Sequence, residues 1–138
     1  MDNLMSKQTP NVDELLDNWE EIYKRGLLSF WLLLLLQECD SYPYEMNAKI
    51  FEITQGSIKA SEQSIYRALK RFESLGVVRS FMQTSDSGPD RRYYTLTSSG
   101  NTLLKRFIQR NIFIFQHPAV QAIIQTLFDE TTGVDDDE

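Results

Sequence analysis

The stretch Ser61-Glu-Gln-Ser-Ile-Tyr-Arg-Ala-Leu-Lys-Arg-Phe-Glu-Ser-Leu75, followed by Gly76, decides how the rest of the chain is read. The Ser61 hydroxyl can accept from a free amide of the first helical turn, so Ser61 reads as an N-cap. Gly76 can take positive φ cheaply and reads as the stop. At ~100° per residue, Ile65, Ala68, Leu69, Phe72 and Leu75 share one face, predicted to pack inward. Gln63, Arg67, Lys70 and Ser74 fall on the opposite face, flanked by Tyr66 and Arg71. That outer face is long, polar and basic.

Downstream, Val77 to Thr84 reads as a strand, Ser85 to Asp90 as a turn, and Arg91 to Leu96 as a returning strand with an arginine-rich tip. Upstream, Tyr44 to Thr54 reads as a helix with Met46, Ile50 and Ile53 inward, ended by Gly56. The turn Asp40-Ser-Tyr-Pro43 precedes it, since proline disfavours helix at the residue before it and suits a helix start. Helix, short turn, helix and hairpin in this order are the parts of a winged helix-turn-helix. The predicted fold class is therefore mainly α with a small antiparallel β-hairpin.

Leu27 to Glu38 is apolar nearly all round and reads as a buried helix. Its apolar run is about half of the ~20 residues that span a bilayer. Before it, Val12, Leu15, Leu16, Trp19, Ile22 and Tyr23 recur at helical spacing, with Asp13, Glu14, Asp17, Glu20 and Glu21 facing away. The acidic face argues against a membrane surface and against a DNA-reading role for this helix. After the hairpin, Thr97 can cap a helix from Ser98 to about Gln116, and Ala119 to Phe128 reads as a short further helix beyond Pro118. The expected organisation is a flexible tail over 1–10, an amphipathic helix over 11–24 and the winged helix-turn-helix over 25–97. Dimerisation and C-terminal helices follow over 98–128, and an acidic disordered tail over 129–138.

The whole chain of 138 residues carries a net charge of −6. The distribution matters more than the sum. Residues 1–58 hold four basic and ten acidic residues, residues 59–110 hold ten and four, and residues 111–138 hold none and six. One basic segment in an acidic protein coincides with the helix–hairpin unit, and local field rather than total charge steers a polyanion to a surface. Double-stranded DNA is the expected partner. Arg67 and Lys70 could reach guanine edges or phosphates, and Gln63 could pair with adenine. Ser64, Tyr66 and Arg71 complete the helical candidates, the latter two better placed for phosphates. Arg91 and Arg92 could enter a minor groove or grip a phosphate. The competing reading gives these arginines surface ion pairs with Glu62, Glu73 and Asp90, which are common and worth little.

A homodimer is expected, because the stripe of residues 11–23 and the broad apolar face of residues 98–116 exceed what one small domain covers. The seam is assigned to Leu15, Trp19, Leu104, Phe107, Ile108, Ile112 and Phe115. A two-fold dimer implies DNA with two inverted half-sites. Catalysis is a poor fit. Cys39 and His117 are the lone residues of their types, so no metal site is expected, and the six glycines form no phosphate loop. No cofactor is expected. Met1 to Pro10 does not read as a signal peptide and the single cysteine excludes an internal disulfide, so a cytoplasmic protein is expected. Aromatic residues such as Trp31 and Phe107 could instead line a ligand pocket at a dimer interface, the inducer being unknown. A winged-helix module for protein interaction is the other alternative.

Four stretches carry a resemblance. They are Arg25-Gly-Leu-Leu28, Ser41-Tyr-Pro-Tyr-Glu45, Ser61 to Val78, and Gly88-Pro-Asp-Arg-Arg-Tyr-Tyr-Thr-Leu-Thr97 followed by Gly100. Together, over about residues 25–110, the chain resembles the PadR family of bacterial transcription regulators. The resemblance implies a homodimer of winged-helix domains that represses promoters, often relieved by a small molecule. Pro43 stands where the family usually has glycine, and longer members add a sizeable C-terminal helical region. The N-terminal extension is similar in layout to PadR-like modifiers of the cyanobacterial clock.

Overall fold

The computed structural model describes residues 9–137, with side chains described as far as Asp129. Helix α1, Val12–Arg25, is capped by Asn11, whose side-chain oxygen accepts from the Glu14 amide at 3.1 Å. Gly26 and Leu27 turn the chain into α2, Leu28–Glu38. Pro43 opens α3, Pro43–Ile53, where its missing N–H costs no hydrogen bond. Gln55 (φ 54°) and Gly56 (φ 80°) then swing the chain toward α4, Glu62–Ser74. Ser61 caps α4 as expected, accepting from the Ser64 amide at 3.0 Å. Past Gly76 (φ 79°), β1, Val78–Gln83, pairs antiparallel with β2, Arg91–Leu96, in a register running from Val78–Leu96 to Gln83–Arg91.

Thr97 joins the hairpin to α5, Ser98–Asn111. Its hydroxyl donates to the carbonyls of Gly76 (2.7 Å) and Val77 (2.9 Å) and accepts from the Gly100 amide at 3.0 Å. This junction leaves no room at Gly100: a Cβ there would lie 2.2 Å from the Val77 carbonyl oxygen. A short 3-10 helix, Phe113–Gln116, and α6, Pro118–Asp137, complete the chain.

The core is built around α2, which packs against α3, β2 and α5 and is apolar on every side for that reason. Leu32, Leu33, Leu35 and Leu36 meet Met46 and Ile50 of α3, Ile65 and Leu69 of α4, and Val77, Val78, Tyr94 and Leu104. Fully buried Ser41 fastens the hairpin to the turn before α3. Its amide donates to the Tyr94 carbonyl (3.2 Å), and the Tyr94 amide donates to the Ser41 carbonyl (2.8 Å).

Four expectations need correction. Leu75 and Ile53, predicted inward, are exposed, because each sits where its helix ends and the chain turns away. The helix predicted over 98–116 stops at Asn111. Asn111 offers its side-chain amide to the Phe107 carbonyl (3.1 Å), and Ile112 and Ile114 are β-branched, which favours an end there. The last helix, expected to end at Phe128, continues to Asp137, so most of the segment 129–138 is helical rather than disordered. Propagation adds a hydrogen bond per residue, and an internal Gly133 costs only ~1 kcal/mol. Leu104, assigned to the dimer seam, is buried in the domain's own core. The tail predicted over 1–10 lies almost wholly outside the described residues. Among the described residues no helix is long and apolar enough to cross a membrane.

Candidate nucleic-acid interface

Helix α4 stands on the core through Ile65 and Leu69, both fully buried, with Ala68 and Phe72 partly buried beside them. Its outer row, Gln63, Arg67 and Lys70, is exposed. Among the described residues the ion pairs are Lys24–Glu20, Arg25–Glu21 and Lys49–Glu45, so Arg67, Lys70 and Arg71 form none. The competing reading of these basic side chains as paired with Glu62 and Glu73 therefore does not hold for α4. Ser64 is half-buried and engaged in the cap, sharing a hydroxyl–hydroxyl bond with Ser61 at 2.9 Å.

The two flanks of α4 face different neighbours. On one, Glu73 accepts from the Ser80 hydroxyl at 2.6 Å, and Ser80 in turn accepts from Arg92 Nη1 at 3.1 Å. This relay ties the hairpin to the helix and holds Arg92 on the Glu73 flank of α4. Tyr66 lies on the same flank. Burial pushes the Tyr94 hydroxyl above its usual range, Glu73 adds to the shift, and Arg92 opposes it. On the other flank, Ser64 and Arg71 look toward the junction of α1 and α2, where each lines a cleft.

Arg91 and Arg92 do not act as a pair. Successive strand residues point to opposite faces, so Arg92 faces α4 while Arg91 shares the other face with Phe81 and Tyr93. There the Arg91 guanidinium lies over the Tyr42 ring, 4.6 Å from its centroid, and Tyr42 meets Tyr93 edge to face. The expected arginine-rich tip is likewise not at the tip: both arginines belong to β2, and residues 84–90 between the strands contain no basic side chain. Tyr42 and Ser80, which position these arginines, went unnoticed in the sequence because their partners lie far along the chain and only the fold brings them together.

Of the side chains assigned to a dimer seam, Leu15, Trp19 and Phe115 are exposed, while Phe107, Ile108 and Ile112 are half-buried. Phe107 stacks on Phe30, and Ile108 packs against the core.

Residues 32–106, from the second turn of α2 well into α5, match the model of the transcriptional regulator PadR-like family. The chain belongs to that family. A PadR-like chain of this kind is a transcriptional regulator built on a DNA-binding winged helix-turn-helix. It is similar, at 31% identity over 85 residues, to an uncharacterised protein of Lysinibacillus sphaericus, covering 62% of this chain and 78% of that one. It is also similar in structure to a transcriptional regulator from Clostridium thermocellum, with 28% identity, a TM-score of 0.59, and coverage of 67% of this chain and 89% of that one. The fold extends to Bacillus subtilis PadR in complex with operator DNA, at 23% identity and a TM-score of 0.55, covering 59% of this PadR-like chain and 45% of that one.

Proposed function

We propose that this PadR-like protein is a sequence-specific DNA-binding repressor that acts as a homodimer in the cytoplasm, by binding and without catalysis. The observation that carries this reading is the outer row of α4: exposed Gln63, with exposed Arg67 and Lys70 that form no ion pair among the described residues, and an Arg92 held on the flank of the helix by the wing. Unpaired cations on a helix that can enter a major groove suit base edges and phosphates. The operator-bound state of the Bacillus subtilis relative is consistent with it. Two copies of α4 in a two-fold dimer call for two inverted half-sites, set about one helical turn apart or a multiple of it.

Selection of bound duplexes from random and genomic DNA tests the proposal, and the genomic targets recovered decide the clock link that the N-terminal layout implied. Arg67→Ala is expected to cost ~1–3 kcal/mol on the selected sequence and to relax discrimination at one position. Arg92→Ala is expected to weaken all sequences alike and to lower the salt slope by about one unit. Should the unmutated protein bind no duplex above the non-specific level at low salt, a winged-helix protein-interaction module replaces this reading.

Control by a small molecule has a specific observation in its favour. An apolar cleft of about 340 Å³ opens between Phe30, Leu33, Phe72, Leu75, Leu103 and Phe107. Trp31, whose indole N–H is buried without a hydrogen-bond partner among the described residues, does not line this cleft but meets its Phe30 edge to face at 5.1 Å. A flat apolar aromatic is the class of inducer to screen, by quenching of the fluorescence of Trp31, whose ring contacts that of Phe30, in a Trp19→Phe background.

A further inference from the structure

A second cleft, of about 560 Å³, lies at the N-terminal end of α4, on the flank away from the wing. The last turn of α1 supplies Glu21, Lys24 and Arg25 to it, the turn before α4 supplies Ser57 and Lys59, and the start of α4 supplies Ser61 and Ser64. Three cations and three hydroxyls thus face one carboxylate. Lys24 and Arg25 are tied to Glu20 and Glu21 at 3.8 and 3.3 Å, the first a half-buried and the second an exposed i,i+4 pair, of a kind that contributes little and can yield to a stronger anion. Lys59 is exposed and forms no ion pair among the described residues.

The position of this cleft gives it meaning. A helix in a major groove has a sugar–phosphate backbone on either side of it. The Glu73–Ser80–Arg92 relay places the wing along one flank of α4. Ser64 places the cationic cleft along the other. We propose that Lys24, Arg25 and Lys59 form a second phosphate grip, which receives the DNA backbone on the side of α4 opposite the wing. The inference rests on the DNA-binding reading above and deepens it. It also divides α1 in two: an acidic first part that phosphates repel, and a basic last turn that they attract.

The test uses the full chain and its selected duplex, titrated at several salt concentrations. Each phosphate contact contributes ~0.9 to the slope of log affinity against log salt. Lys59→Gln is expected to lower the slope by about 0.9 per half-site, and Lys24→Gln with Arg25→Gln by about twice that. The loss should be equal on selected and scrambled duplexes, with unchanged thermal stability and native mass. Lys24→Arg with Arg25→Lys keeps both charges and should keep the slope. Arg110→Gln, on α5, should leave it unchanged. A slope unchanged in the cleft variants while the unmutated protein binds normally overturns the grip and spares the DNA-binding reading. A fall in Arg110→Gln equal to theirs also overturns it, by reducing the effect to overall charge. Absence of binding by the unmutated protein removes both.

Discussion

Helices α1 and α2 are neighbours in the chain and opposites in the fold. Of α2's side chains Leu32, Leu33, Leu35 and Leu36 are buried, whereas α1 buries none, and its Trp19 is 74% exposed. Both are rich in large apolar residues. The difference is that α2 finds its partners within residues 46–108, while the stripe of α1 stays exposed. Winged-helix packing is therefore complete without α1, and α1 offers its stripe to something else, which we propose to be the second copy of the dimer.

This contrast can be broken from either side. The largest effect is expected at the junction that closes the self-contained part: Gly100→Ala puts a Cβ 2.2 Å from the Val77 carbonyl oxygen and 2.8 Å from Leu96 Cδ1. Backbone on one side cannot yield, so a loss on the order of 4 kcal/mol is expected in urea unfolding. Leu69→Ala, which empties a fully buried position of α4, should cost about 3 kcal/mol at any protein concentration. Ser61→Ala removes the acceptor for the Ser64 amide and should cost ~1 kcal/mol, read in the same assay. Trp19→Asp should leave the unfolding free energy of the isolated domain within about 0.5 kcal/mol, yet remove the dependence of the melting temperature on protein concentration. A Trp19→Asp protein that keeps a dimeric mass in sedimentation sends the stripe of α1 to another partner. Trp19 is the cleaner probe of the seam than Ile108, because Ile108 also packs on the core.

The same contrast explains what could be read from the chain beforehand. Helix α4 was legible almost residue by residue, since Ser61, Gly76 and the apolar repeat between them are local signals that tertiary packing reinforces. Leu75 escaped because periodicity continues past the point where the chain turns, and periodicity alone cannot see the turn. Arg67 and Lys70 stand where their spacing put them. The wing was legible in outline, but the division of labour between Arg91 and Arg92 depended on Tyr42 and Ser80, one in the turn before α3 and one in β1. Leu104 shows the matching limit for α5: a broad apolar face says that burial is needed, and only the fold says which part of it is already covered.

The wing is fastened at four points: Ser41 grips Tyr94, Thr97 grips Gly76 and Val77, Arg92 and Glu73 meet at Ser80, and Tyr42 packs against Arg91 and Tyr93. Mechanically it is a cantilever with a clamped root and a free end over residues 84–90. Each residue added to both strands beyond the clamps lengthens the arm by ~3.3 Å and disturbs nothing at the root. Its reach is therefore an adjustable dimension of the molecule, separable from the core that supports it and from the helix that lies beside it.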